Sequence, residues 1–148
     1  MPNQKSAIFF QFFNEIGIIA QLSRAMFEAR LPDGLLLPHF SVLNHLIRVG
    51  DGPTPLELAR AFQVPKTTMT HSLSILERHK LIVLRPNPND KRSKQVWITT
   101  EGQDFRNQAI ASLGPDIAEL SKEYCIDDVQ TLLPKLTELR QVMDRLRN

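Results

Sequence analysis

Residues 54–102 read TPLELARAFQVPKTTMTHSLSILERHKLIVLRPNPNDKRSKQVWITTEG. Thr54 and Glu57 have the spacing of a capping-box pair, and Pro55 stands at the first helical position, so a helix starts here. It is short, Leu56–Phe62, with Leu58, Ala59 and Phe62 turned inward. Gln63-Val64-Pro65 is a tight turn. A second helix runs from about Lys66 to His79, with Met69, Leu73 and Leu76 at core spacing. Two β-rich runs follow, Leu81–Leu84 and Gln95–Ile98, joined by a polar loop that carries Pro86, Pro88 and several cations. This pattern predicts a hairpin with a long tip.

Outward from this run the chain reads as helices. Upstream, Phe9, Phe12, Phe13, Ile16, Ile19, Leu22 and Met26 follow three-and-four spacing and predict a helix over residues 5–29. Leu31-Pro32-Asp33-Gly34 breaks it. Pro38 opens another helix, with Phe40, Leu43, Leu46 and Ile47 on its apolar face and Gly50 at its end. Downstream, Thr99 is placed to cap a helix reaching about Tyr124, bent or weakened at Gly114-Pro115. From Asp127 to Arg147, Val129, Leu132, Leu136, Leu139, Met143 and Leu146 form an a/d seam suited to another helix. Pro134 lies within it and predicts a kink or a late start. The expected fold is mainly α with a small β-hairpin wing: a winged helix-turn-helix domain over 36–104, and a helical dimerisation body from 1–35 and 105–148.

Composition agrees with this class. The 148 residues are 42% hydrophobic and 23% charged, enough for a packed core in an ordinary globular chain. No apolar run approaches the roughly 18 residues of a membrane span. No secretory signal is visible either, so no membrane partner and a cytoplasmic location are expected. Cys125 is the single cysteine, which excludes an intrachain disulfide or a multi-cysteine metal site and fits a reducing compartment. Net charge is +2 overall but uneven: zero over 1–54, +5 over 55–99 and −3 over 100–148. A basic middle segment suits a polyanion.

The second helix of the pair has the chemistry to enter a major groove. Its outward residues Lys66, Thr67, Thr70, His71 and Ser74 are mostly short and polar. The hairpin tip, Asp90-Lys91-Arg92-Ser93, supplies two cations and a carboxylate able to hold an arginine, and a narrow minor groove attracts an inserted arginine.

Several stretches together resemble one family. They are Leu37-Pro38-His39-Phe40-Ser41-Val42-Leu43, Thr54-Pro55-Leu56-Glu57-Leu58-Ala59, Thr68-Met69-Thr70, Leu76-Glu77-Arg78, Arg85-Pro86-Asn87-Pro88-Asn89-Asp90-Lys91-Arg92-Ser93 and Ile98-Thr99-Thr100-Glu101-Gly102. Over about residues 35–105 the chain resembles the MarR family of bacterial transcriptional regulators. The resemblance implies a homodimer whose first and last two helices intertwine, and double-stranded DNA as partner. It implies that Arg92 is a minor-groove arginine, Asp90 its orienting partner and Lys91 a phosphate contact. The DNA-facing set becomes Thr54, Lys66, Thr67, Thr68, Thr70, His71, Ser74, Arg78, Asp90, Lys91, Arg92 and Ser93. A small-molecule effector pocket between the helical body and the winged domain would take in Phe13, His39 and Phe40.

The chain departs from the family pattern at four places. Pro65 replaces the usual serine at the recognition-helix cap, and Lys80 replaces the glycine that often ends that helix. The threonine usual near Leu36 is absent. His71 stands where arginine is frequent and cannot repeat arginine's bidentate grip on guanine.

Rival readings have less behind them. No nucleophile elbow, phosphate-cradling glycine loop or metal motif is present, so an enzyme is not expected, nor a cofactor or metal. His39 and His45 lie six apart with no recognisable ligand set. Cys125 reads as a small apolar filler rather than a redox sensor. The phenylalanines of the first helix read first as packing residues. The remaining alternative is a winged-helix protein-interaction module without DNA binding. The basic tip argues against it, because a protein-docking wing more often carries apolar residues.

Overall fold

The computed structural model describes residues 3–32 and 34–147. Asp33, within the expected breaker after the first helix, lies outside the described residues. The chain divides into two compact units, residues 1–112 and 113–148.

The first unit contains α1 (Gln4–Glu28), α2 (Leu37–Val49), α3 (Pro55–Phe62), α4 (Lys66–Arg78), β1 (Ile82–Pro86), β2 (Lys94–Ile98) and α5 (Thr100–Ala111). Side chains cap the helices where the sequence supplies an acceptor. Asn3 accepts from Ser6 N–H at 2.7 Å, Thr54 from Glu57 N–H at 3.2 Å, and Thr99 from Gly102 N–H at 2.9 Å. The expected box at α3 closes differently on its second side. The Thr54 hydroxyl faces Glu57 Oε1 at 3.2 Å, so the two side chains bond to each other.

The core lies between α2, α3, α4 and the hairpin. Leu43, Leu46, Leu58, Leu73, Leu76, Ile82, Val42 and Val96 are fully buried in it. Burying one such side chain contributes roughly 1.5–3 kcal/mol, so this cluster outweighs any single polar contact around it. Phe62, expected to point inward, is half-buried at its margin.

The strands pair antiparallel, from Ile82 opposite Ile98 to Pro86 opposite Lys94. On its other side β2 meets the turn before α3. Gly52 N–H donates to Val96 O and Val96 N–H to Pro53 O, both at 2.9 Å, and Asp51 Oδ1 accepts Ile98 N–H at 2.8 Å. The hairpin is therefore tied to the helical layer along a strand edge that would otherwise stay unpaired.

α4 ends in a Schellman motif. Leu81 N–H donates to Leu76 O at 3.0 Å and Lys80 N–H to Glu77 O at 2.9 Å. Lys80 carries the left-handed conformation that this motif demands, at φ 62°. The absent glycine thus leaves the motif intact, with a lysine in a conformation that costs an L side chain about 1–2 kcal/mol.

Downstream, one long helix to Tyr124 is replaced by two. α5 stops at Ala111, and α6 (Gly114–Glu123) begins after two intervening residues. Pro115 cannot donate to the Ala111 carbonyl and its ring crowds that oxygen, so the first helix ends there and Pro115 takes a first-turn position in the next. In the second unit α7 (Ile126–Leu146) starts well ahead of Pro134 and includes it. The late start is therefore not seen; helix propagates on both sides although Pro134 leaves Gln130 O without its usual helical donor. No described residue of α6 or α7 is buried.

Two glycine positions test this packing. Lys80→Gly should raise unfolding stability in a urea titration by up to about 1 kcal/mol, because the left-handed strain is relieved. Gly102→Ala should lower it by about 1–3 kcal/mol. A Cβ at Gly102 would collide with Leu81 O and lie 2.7 Å from Ile98 Cγ1. Equal stability in both variants would contradict the geometry of this corner.

Candidate nucleic-acid interface

The turn between α3 and α4 is closed by Gln63 in the left-handed region, φ 53°, with Val64 N–H donating to Ala59 O at 3.0 Å. Pro65 then caps α4 without a side-chain hydrogen bond. Met69, Ser72, Leu73 and Leu76 face inward and are buried. This fixes the rotation of the helix, and Lys66, Thr67, Thr68, Thr70, His71, Ser74 and Arg78 are all exposed. Thr68 has a second surrounding, since it also lines a cavity described below.

The hairpin tip is ordered by its own polar groups. Asp90 Oδ1 accepts both Arg92 N–H at 3.0 Å and Arg92 Nε–H at 3.2 Å. Asn87 Nδ2 donates to Ser93 Oγ at 3.0 Å, and Asn87 Oδ1 accepts Asn89 N–H at 3.0 Å. Ser93 N–H donates to Asp90 O at 3.2 Å. The Arg92 side chain nonetheless remains 91% exposed, so the tip presents a guanidinium whose root is fixed and whose head is free to reach outward. Lys91 is exposed beside it. Thr54 and Ser93 stand differently from the rest of the expected set. Both are half-buried, with hydroxyls engaged in the α3 cap and the tip turn.

An apolar cavity of about 220 Å³ lies within the first unit, among α1, α2, α3 and α4. Leu37, Pro38, Val42, Phe62, Val64 and Met69 line it, with Ser41, Thr68 and Ser72 as polar points and Arg24 as the charged lining residue. His39 and Phe40 sit on the same helix as much of this lining but are themselves buried. Phe40 packs on Phe27, ring centroids 4.5 Å apart. Phe13 lies far up α1, against Phe9 and Phe12. Arg24 has no periodic signal that marks it as a cavity residue; only the packing of four helices brings it there.

Arg24 also leads to a junction between α1 and α2. Its Nε donates to Glu28 Oε1 at 3.0 Å, and the same carboxylate oxygen accepts Leu37 N–H at 2.9 Å. That backbone bond, with Arg24 adding to it, holds the Glu28 carboxyl below the usual range. Next to it, Leu36 N–H donates to His39 Nδ1 at 2.9 Å, so two orphan donors at the start of α2 are satisfied by side chains. Burial pushes the His39 pKa down, His71 and His79 push the same way, and the neighbouring Glu28 carboxylate opposes them in part. A proton on Nδ1 would also displace the Leu36 amide.

Comparison with known proteins follows the same outline. The profile described as MarR family matches residues 33–93. The multiple antibiotic resistance protein MarR of Escherichia coli K12 is 33% identical over 129 residues, covering 81% of this chain and 89% of that protein. The crystal structure of apo wild-type MarR from E. coli superposes with a TM-score of 0.71 at 30% identity, over 85% of this chain and 94% of that one. A mutant MarR from E. coli, crystallised with operator DNA, gives 0.69 at 28% identity over 93% and 99%. The regulator BldR of Sulfolobus solfataricus shares the fold, with a TM-score of 0.76 at 24% identity over 94% and 99%.

The buried histidine sets a pH dependence of stability. In the unfolded chain His39 titrates near its ordinary value of 6.5, and in the folded chain lower. Stability is thus complete above that value and declines as pH falls through it, because the unfolded chain takes up a proton that the folded one resists. His45, depressed by burial and then by Arg48, acts with the same sign. The melting temperature should fall between about pH 7 and about pH 5, and His39→Gln should reduce the slope. An unaltered slope in that variant would assign the dependence to other groups.

Proposed function

The chain belongs to the MarR family, and on that premise we propose that it is a DNA-binding transcriptional regulator, not an enzyme, acting in the cytoplasm as a homodimeric, ligand-released repressor on a pseudo-palindromic operator. In this reading residues 36–104 form the DNA-binding domain, and residues 1–35 and 105–148 the dimerisation region. The observation that carries it is the tip of the hairpin. Arg92 is anchored at its root by Asp90 and exposed at its head, as a minor-groove arginine needs to be. The outward polar face of α4 supplies the companion surface for a major groove.

A dimer is supported by apolar surface that the single chain leaves uncovered. On α1, Phe9, Phe10, Ile19 and Leu22 are exposed; on α7, Leu132, Leu136, Met143 and Leu146 are exposed. Patches of this kind mark interfaces in stable proteins. Two recognition helices must then stand about 34–36 Å apart to enter successive major grooves. An effector releases the DNA only if it binds better to a dimer with another spacing. The Arg24 cavity favours an apolar effector with an anionic group. Such a group would compete with Glu28 for Arg24, and Glu28 holds the first turn of α2.

Sedimentation at micromolar concentration should give about twice 16.9 kDa. Selection of bound sequences from a random duplex pool should yield two inverted half-sites about 10 base pairs apart, centre to centre. Arg92→Ala should weaken binding to the selected site by about 1–3 kcal/mol while the preferences read by α4 and the melting temperature stay unchanged. Full DNA affinity in Arg92→Ala, with the loss appearing in stability, would make Arg92 a brace of the hairpin and refute the reading. So would a well-folded monomer that ignores DNA.

A further inference from the structure

Alternate residues of a strand share a face, so Val83, Arg85, Gln95 and Trp97 lie together on one side of the hairpin. The other side carries Ile82 and Val96 into the core. Across the outer face the Arg85 guanidinium carbon lies 4.8 Å from the centroid of the Trp97 ring. Beside that ring runs the Gly52 backbone, where even an added Cβ would only touch Trp97 Cζ2 at 3.7 Å. Arg85 is exposed, and among the described residues no carboxylate lies within ion-pairing distance of it. Arg92, by contrast, gives its Nε to Asp90.

A guanidinium lying on an indole keeps its N–H edges available while its stem loses freedom in advance of binding. Those edges match the oxygens of a phosphate in a two-pronged contact. The segment around it, residues 55–99, has a net charge of +5, and the same hairpin carries Lys91, Arg92 and Lys94. We propose that Arg85, held in place by Trp97, is a second DNA contact of the hairpin, gripping a backbone phosphate beside the groove that Arg92 enters. The proposal rests on the DNA-binding reading above. In it Arg85 touches the nucleic acid, and Trp97 is a positioning residue. Arg85 adds affinity and salt dependence without reading bases.

The test measures affinity of the full chain for a random-sequence duplex by fluorescence anisotropy between about 50 and 200 mM salt. Arg85→Ala should make the slope of log affinity against log salt shallower by about 0.9 per subunit, and lower affinity roughly eightfold per lost contact near 0.1 M salt. Arg85→Gln, which keeps the stem and a polar end, should lose the same slope, separating charge from packing. Arg85→Lys should keep the slope and recover part of the affinity. Trp97→Phe should retain most of the binding, and Trp97→Leu should weaken it with the slope kept. Wild-type affinity and slope in Arg85→Ala and Arg85→Gln, alongside a clear loss in Arg92→Ala, would overturn the proposal and leave the face to a protein partner. A wild-type chain with no duplex affinity would instead refute the DNA-binding reading, and this inference with it.

Discussion

Burial of Leu58, Leu73 and Leu76 in one core is the constraint on which the rest of the first unit depends. With these three side chains inward, α4 has no freedom to rotate. Its Lys66, Thr67, Thr70 and His71 must then face water, and the polar face follows from the apolar one. The same core takes in Leu81, Ile82 and Val96, so the hairpin is hung from the end of α4 rather than floating beside it. The Schellman bond from Leu81 to Leu76 sets the corner between them. Polar contacts at this corner decide geometry, while the buried leucines supply most of the stability.

The tip of the hairpin follows a different economy. Its shape rests on short polar bonds among Asn87, Asn89, Asp90, Arg92 and Ser93. Each is exposed or half-buried and contributes modestly to stability. Together they fix the root of Arg92. Asp90 is the central member, since it accepts from both the backbone and the side chain of Arg92. It is the residue that orients the Arg92 side chain.

At the start of α2 two titratable groups do the work of caps. Glu28 reaches from α1 to Leu37 N–H, and His39 reaches back to Leu36 N–H. The carboxylate is favoured there by the helix dipole as well as by the bond. The histidine must stay neutral to keep its bond. Arg24 links this junction to the apolar cavity, because the same residue lines the cavity and holds Glu28. One residue thus joins the cavity wall to the first turn of α2.

By itself the sequence determined the features that act over a few residues. The Thr54 and Thr99 caps, the inward Met69, Leu73 and Leu76, the hairpin and its basic tip are all readable, because each depends on a local hydrogen bond or a short period. Element ends were less legible: Pro115 separates α5 from α6, whereas Pro134 is carried inside α7, and the same residue type thus has opposite outcomes. Only the tertiary structure decided the contacts that close over long stretches of chain. Asp51 meets Ile98 across 47 residues, and Arg106 meets Asn44 across 62. Arg24 enters the cavity and Arg85 settles on Trp97 for the same kind of reason. Such pairs leave no periodic mark, because their partners are selected by how helices and strands pack, and packing is a property of the whole core rather than of any segment.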